Sequence, residues 1–460
     1  MQENLEEIVN LLATRDFASL RRILREENPA DIAELFDEIP KEQFPLLFRL
    51  LPKELAAEVF VEMDSDVQQI VIGAFSDYEL RQVLDELYLD DTVDLIEEMP
   101  ANVVSRILRN CSSEDRQMIN QLLQYPKDSA GSIMTTEYVN LKADMTVEEA
   151  FSLIRRVAID KETIYTCYVT AANRKLIGIV SARVLMLSPL TQKIGDIMEQ
   201  NVISVTTHTD REEVGFLFGK YSFLALPVVD TEDRMLGIIT FDDAMDVISE
   251  ETEEDFAVMA AITPSESDVP YLKSSSFSIF KARIPWLLLL TLSATLTGLI
   301  ISSFEASLSA CVVLTAFIPM LMGTGGNCGS QSSVTVIRGL SLGEIDFPDL
   351  LAVLWKELRV SLLCAVVLSA ATFLKIFLVD YLLMRILNPV EMLTVPLTVC
   401  LTMCVTVIGA KLIGCTLPIL VKKIGLDPAV MASPFITTII DALSLAVYFA
   451  FAVWLIPGIS

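Results

Sequence analysis

From residue 284 onward the sequence is a succession of apolar stretches, at about 284–303, 308–323 with an extension into 332–340, 358–383, 393–420 and 430–456. Each is near the roughly 20 residues that cross a bilayer as a helix. Hydrocarbon offers the backbone no hydrogen-bond partner, so such stretches must satisfy their own N–H and C=O groups as helices. This points to an all-α membrane domain of five spanning helices, 284–460, in the second half of the 460-residue chain. Charge is distributed accordingly. The net charge is -27, yet the part after Arg283 holds about nine acids against about eight Lys and Arg. An acidic soluble half is joined to a nearly neutral membrane half. Its surface repels nucleic acid and attracts divalent cations.

Two features of the spans point towards an aqueous path. The stretch 317–331 carries Gly323, Gly325, Gly326 and Gly329 together with Asn327, Ser330 and Gln331. Glycines let helix backbones approach, so one reading is a helix–helix seam. The other is the lining of a hydrated cavity, which polar residues at that depth require. The last span holds a single acid near its middle, Asp441. A carboxylate there costs at least about 2.5–3.5 kcal/mol and marks a functional site by default. The structural alternative is a buried ion pair with Lys411 or Lys375. Pro319 and Pro434 each lack an N–H and, inside a helix, would free the carbonyls of Thr315 and Val430. Carbonyls and one carboxylate opposite this run suit a cation path.

The run Pro319-x-x-x-Gly-x-Gly-Gly-Asn-x-Gly-x-Gln331, with Gly425-Leu-Asp-Pro428 and Ser433-Pro-Phe-x-x-Thr-x-x-Asp441, resembles the MgtE family of magnesium channels. The resemblance covers the whole chain, including the order of its soluble domains. It implies a homodimer whose pore lies between protomers, with Asp441 facing a hydrated Mg2+ and Asp427 as a further metal ligand. Gly325, Gly326, Asn327, Gly329, Gln331, Ser433, Pro434 and Thr437 are the pore-lining residues it implies. Ser433 departs from the Asn expected at that point, which removes a side-chain amide near the filter.

The soluble half reads as three parts. Residues 1–127 are short helices that start at Asn28-Pro29, Leu51-Pro52, Phe75-Ser76 and Met99-Pro100, a small helical solenoid. From 128 the pattern duplicates with a period of roughly 60 residues and a β–α–β–β–α reading. Residues 128–193 and 194–255 resemble a tandem pair of α/β CBS domains, which often bind adenine nucleotides. Thr240 and Asp243 fit the nucleotide loop of that family and make ATP a candidate modulator; Val184 stands where the first repeat would carry the equivalent acid. Residues 256–283 are expected to form a linking, plug-type helix, amphipathic over 271–283.

The helix that leaves the second repeat is crowded with Asp243, Asp246, Glu251, Glu254 and Asp255. Acids three and four residues apart share a face and repel. A solvated acidic face is the plain reading, and a cation sensor ahead of the membrane is the functional one. The MgtE resemblance places Glu58, Asp90, Asp94 and Glu212 opposite as further metal ligands, and Ser222 replaces an expected Asp.

Lys273, Lys281, Arg283, Arg338, Lys356, Arg359, Lys422 and Lys423 fall on one side of the spans, with Arg385 the exception. That side is cytosolic by the positive-inside rule, so the acidic half is cytoplasmic and the C-terminus outside a cell (inner) membrane. The N-terminus lacks the basic and apolar regions of a signal peptide. A single His208, no CxxC pair and mostly membrane-embedded cysteines argue against soft-metal sites. No nucleophile–base pair or phosphate loop indicates an enzyme. The expectation is a homodimeric Mg2+ channel in membrane lipid, shut by cytosolic Mg2+. Its rivals are a broader Mn2+, Co2+ or Ni2+ path and a membrane-anchored nucleotide sensor.

Overall fold

The computed structural model describes residues 8, 10–12, 14–158, 161–264, 271–305, 309, 311–383, 391–431 and 433–456. The chain divides into two compact units that meet along the sequence between Glu250 and Glu251.

Among the described residues from Phe17 on, the first unit carries nine α-helices ahead of its strands: α1 Phe17–Leu24, α2 Pro29–Glu38, α3 Phe44–Phe48, α4 Lys53–Val61, α5 Ser65–Ala74, α6 Asp77–Leu84, α7 Leu89–Glu98, α8 Ala101–Asn110 and α9 Ser113–Leu122. The expected starts hold to within a residue or two. Asn28 caps α2 by accepting from the Ala30 N–H, and Ser76 makes a capping box with Glu79 at α6. Such caps satisfy N–H groups that the first turn leaves without intrahelical partners. Leu20, Phe36, Leu47, Val59, Phe60, Val71 and Ile107 line the resulting core.

Two three-stranded sheets follow, β1-β2-β3 and β4-β5-β6. The first repeat is β1 Tyr138–Leu141, α10 Val147–Val157, β2 Thr163–Thr170, β3 Leu176–Ser181 and α11 Ala182–Leu187; a short α12, Ile194–Ile197, leads on. The second is β4 Val205–Thr206, α13 Arg211–Tyr221, β5 Ala225–Val229, β6 Met235–Thr240 and α14 Phe241–Met259. In each, the first strand pairs parallel with the second and the second antiparallel with the third. Tyr138, Tyr168, Ala225, Met235 and Ile238 form a shared core that joins the repeats. The apolar core of the helices is continuous with the second repeat through Ala130 and Met134.

Among its described residues the second unit holds five helices long and apolar enough to span a membrane. They are α15 Ser276–Ser303, α16 Ile318–Ser341, α17 Leu350–Lys375 extended by a π-helical Ile376–Leu383, α18 Glu391–Lys423 and α19 Ser433–Leu455. The amphipathic lead-in is not a separate helix. Ser275 caps α15, which then runs without a break through Pro285 into the span. The prolines also differ from expectation. Pro319 and Pro434 sit in the first turns of α16 and α19, where an N–H has no intrahelical partner to lose. The Thr315 carbonyl, expected to be free, accepts from the Ile318 N–H.

The glycines form a seam. A Cβ on Gly325 would meet Thr406 at 2.7 Å and Ser444 at 2.9 Å, and one on Gly329 would fall 2.0 Å from Ile440. At Gly414 of α18 the neighbour is backbone, since its Cβ would stand 2.3 Å from the Gly329 carbonyl oxygen. Backbone cannot yield as a side-chain tip can, so α16 and α18 approach this closely only because residue 414 is glycine. Gly414→Ala should therefore lower the unfolding midpoint of the detergent-solubilised chain, with a cost at or above the usual range of about 1–3 kcal/mol for overpacking. Gly298→Ala, at a position with nothing within 4 Å, should leave the midpoint unchanged or raise it. Equal midpoints for the two variants would contradict the seam.

Candidate cation sites

Three segments of the first unit converge at the start of α7. The parallel register sets Tyr138 opposite Thr163, so the preceding residues, Glu137 and Glu162, stand side by side. The Glu162 N–H donates to the Glu137 carbonyl at 3.0 Å. The Glu137 carboxylate in turn accepts from the Leu89 N–H at the first position of α7. Asp90, on the same turn, is only 7% exposed. One carboxylate oxygen from each of Asp90, Glu137 and Glu162 lies within 4.8 Å of the other two.

Burial and mutual repulsion both disfavour the charged forms of these acids. Burial, then the charges of Asp243 and Asp91, holds Asp90 well above the usual carboxylate range. Burial pushes Glu137 up to about 7 against the opposing charge of Lys161. Burial followed by Asp243 and Asp91 pushes Glu162 to about 8. Asp91 rises to about 6 through burial and Asp243, and Asp243 to about 6 through burial despite a hydrogen bond from Thr240. Asp94 keeps an exposed face, yet desolvation of its carboxyl and the charge of Asp243 raise it too.

Of the acids singled out in the sequence, Asp90, Asp94 and Asp243 thus share one electrostatic neighbourhood. Glu58 lies on the exposed face of α4, and it is Glu62 just beyond whose charge is felt at Asp91. Glu212 lies in the first turn of α13, and Asp246 is on the exposed side of α14. Glu251, Glu254 and Asp255 belong to the second unit. There burial, then Asp427 and Glu254, pushes Asp255 to about 6. Asp427 accepts from the Ala429 N–H at 2.7 Å. Thr240 and Asp243, the expected nucleotide residues, hydrogen-bond to each other across the start of α14. Ser222 occupies a left-handed C-cap, φ +54°, at the end of α13.

Glu137 and Glu162 escaped the sequence reading. Each is an acid immediately before a β-strand, in corresponding positions on neighbouring strands. Pairing the strand starts in parallel would have exposed them.

In the second unit Asp441 is half-buried on α19, and neither expected lysine reaches it. Lys411 lies 3.9 Å from Glu357 and donates to Ser332 at 3.3 Å, while Ser332 donates to Glu357 at 2.7 Å. Lys375 pairs with Asp380 at 2.8 Å. Among the described residues no cation partners Asp441. Gly325, Gly326 and Gly329 are buried in the seam, and the Thr437 side chain packs on Gly326 while its hydroxyl donates to the Pro434 carbonyl. Asn327, Gln331 and Thr335, four residues apart, are exposed on one face of α16. A cleft of about 660 Å³ beside them is lined by Gln331, Thr335, Glu357 and Lys411 among others. The Ser433 side chain lies outside the described residues.

Family models place this geometry. Residues 318–451 match the MgtE divalent cation transporter model, 27–128 the MgtE intracellular N domain, and 130–188 and 194–250 the CBS domain. A magnesium transporter MgtE of Thermus thermophilus is 35% identical over 96% of both chains. One from Bacillus subtilis is 31% identical over 97% of this chain and 96% of its own. The chain belongs to the MgtE family. The solved cytosolic domain of an Mg2+ channel MgtE in complex with ATP is 37% identical, with a TM-score of 0.51, over 53% of this chain and 99% of its own. The soluble part of a magnesium transporter matches at 30% identity and a TM-score of 0.51, over 55% and 99%. The MgtE fold thus accounts for the helical N domain, the CBS pair and the spanning domain together.

The shifts in this MgtE-family chain have a definite sign. Carboxyls with a folded pKa above the unfolded value bind more protons when folded, so stability is lost as pH rises through that window. For Asp91, Asp243, Glu137 and Glu162 the window runs from about 4, the unfolded value, to the folded values of about 6 to 8. With EDTA present, the first unfolding transition of the full chain should fall by roughly 5 °C or more between about pH 6 and pH 8.5. Calorimetry at the two pH values checks this; a flat or rising midpoint would refute it.

Proposed function

We propose that this chain is a Mg2+-selective channel of the cell membrane, a homodimer whose path lies between protomers and is shut by Mg2+ on its cytosolic acids. The observation that carries the path is the polar face of α16. Asn327, Gln331 and Thr335 project from an apolar spanning helix, away from the seam that buries Gly325 and Gly329. Such groups cannot face hydrocarbon cheaply. A second copy set against this face covers it and leaves water between. Asp441 supplies the negative charge, and Glu357 compensates the charge of Lys411 in the adjoining cleft. Hydroxyls, amides and one carboxylate per protomer hold a hydrated ion through its water shell, which favours Mg2+ over metals that need imidazole or thiolate. The names carried by the Thermus and Bacillus relatives agree with this cargo.

Gating follows from the acids of the first unit and of α14. Without cations, Asp90, Asp94 and Asp243 repel; bound Mg2+ relieves the repulsion and favours a closed form. Glu58, Glu212, Asp246, Glu251, Glu254, Asp255 and Asp427 complete the sensor in this reading. α14 continues along the chain from the second CBS repeat into the unit that holds the spans, so order in this helix can bear on the path. ATP would bind at the loop of Thr240 and Asp243, as the ATP complex of a relative suggests, and Val184 leaves the first repeat without the matching acid.

Asp441→Ala should reduce Mg2+ flux in proteoliposomes to the level of protein-free vesicles while the chain still inserts and elutes as the parent does. Restoration of full flux by adding Lys411→Ala to Asp441→Ala would return Asp441 to a structural pair and overturn the assignment.

A further inference from the structure

Three oxygens at the start of α7 have no hydrogen-bond partner although they are buried: Oδ1 of Asp90, Oε2 of Glu137 and Oε2 of Glu162. They come from three segments, and the carboxylates they belong to lie within 4.8 Å of one another. A buried acceptor left unsatisfied costs its full desolvation, about 1–3 kcal/mol and more when charged. Three together, all of one charge, are not explained by packing. Their positions are fixed by the fold rather than by flexible side chains reaching out. The β1–β2 register sets the two glutamates abreast, and the Leu89 N–H anchors Glu137 against α7. Asp90 is held by the first turn of that helix and is more than nine-tenths buried.

The basic groups around the cluster do not close it. Lys161 is among the leading influences on Glu137, and no Lys or Arg is among those on Asp90 or Glu162. The other neighbours, Asp91 and Asp243, are acids. A sodium ion would leave most of the charge in place. A hard divalent cation offers the charge, and its preference for oxygen matches the donor set. Mg2+ takes oxygen ligands in octahedral geometry and keeps several waters, so carboxylates of this cluster with water completing the shell suit it.

We propose that Asp90, Glu137 and Glu162 form a divalent-cation site, with Mg2+ as its ligand, that fastens α7 of the helical domain to the first CBS repeat. Neither glutamate is among the acids that the family resemblance implied. The site rests on the reading of the chain as Mg2+-regulated and deepens it. Its role differs from that of the acids on α14, because all three ligands lie in elements that precede the second repeat. Here the ion is a clasp between two domains, and it lets the buried carboxylates stay ionised.

The test reads binding and stability instead of flux, so it stands apart from whether the chain conducts. The full-length chain in detergent is compared with Glu137→Gln/Glu162→Gln and, separately, with Asp90→Asn. Bound Mg2+ is counted by equilibrium dialysis, and unfolding is followed with EDTA and with saturating Mg2+. Each variant should bind one Mg2+ fewer per chain. In EDTA the double variant should unfold at a higher temperature than the parent, because neutral amides remove the repulsion. In Mg2+ the order should reverse. A purely structural cluster would not make stability cross in this way. Unchanged Mg2+ stoichiometry in all variants, or variants less stable than the parent by the same margin in both conditions, would overturn the site.

Discussion

Repulsion between carboxylates that the fold forces together is the interaction on which this molecule turns. The first unit could have spread its negative charge over its surface, as most acidic proteins do. Instead the β1–β2 register, the first turns of α7 and the start of α14 bring Asp90, Glu137, Glu162 and Asp243 within one field. Burial at each position removes the water that would screen them. The folded arrangement is therefore conditional. In the proposed reading it tightens when cations or protons arrive and loosens when they leave, and that conditional order is what a sensor would need. Moving a gate from almost open to almost closed takes about 5.5 kcal/mol, more than one weak site supplies, so many modest acids serve better than a single tight one.

The spanning unit solves a different problem. Helices α16, α18 and α19 must pack closely enough to hold together in lipid, where the hydrophobic effect gives no help, yet leave a polar face for ions. Glycine does both. Gly325, Gly329 and Gly414 let the backbones meet on one side of α16. The close seam fixes which way Asn327, Gln331 and Thr335 face. The glycines form the seam of the run, and in the proposed reading they stand behind the path while the amides and hydroxyls line it.

Much of this was legible in the residues. Periodicity and length gave the five spans, Asn28 and Ser76 marked helix starts, and the internal repeat gave two sheets of the expected order. Local chemistry is enough for such features. Legibility stopped where a contact depends on register or on a choice among partners. Glu137 and Glu162 are unremarkable acids until two strands are paired. Lys411 had two acids to choose from, and its packing against Ser332 selected Glu357 over Asp441. Pro319 and Pro434 would free the carbonyls of Thr315 and Val430 only from inside a helix, whereas 3-10 turns at 312–317 and 428–431 end just before each helix begins.

The most direct test is Mg2+ flux into proteoliposomes containing the full chain, measured against the Mg2+ concentration on the side that carries the acidic domains. The account predicts rapid, Asp441-dependent flux when that side is nearly free of Mg2+, falling steeply as Mg2+ there reaches the millimolar scale. Flux that is indifferent to Mg2+ on that side, or that rises with it, would contradict the claim that relief of carboxylate repulsion closes the path.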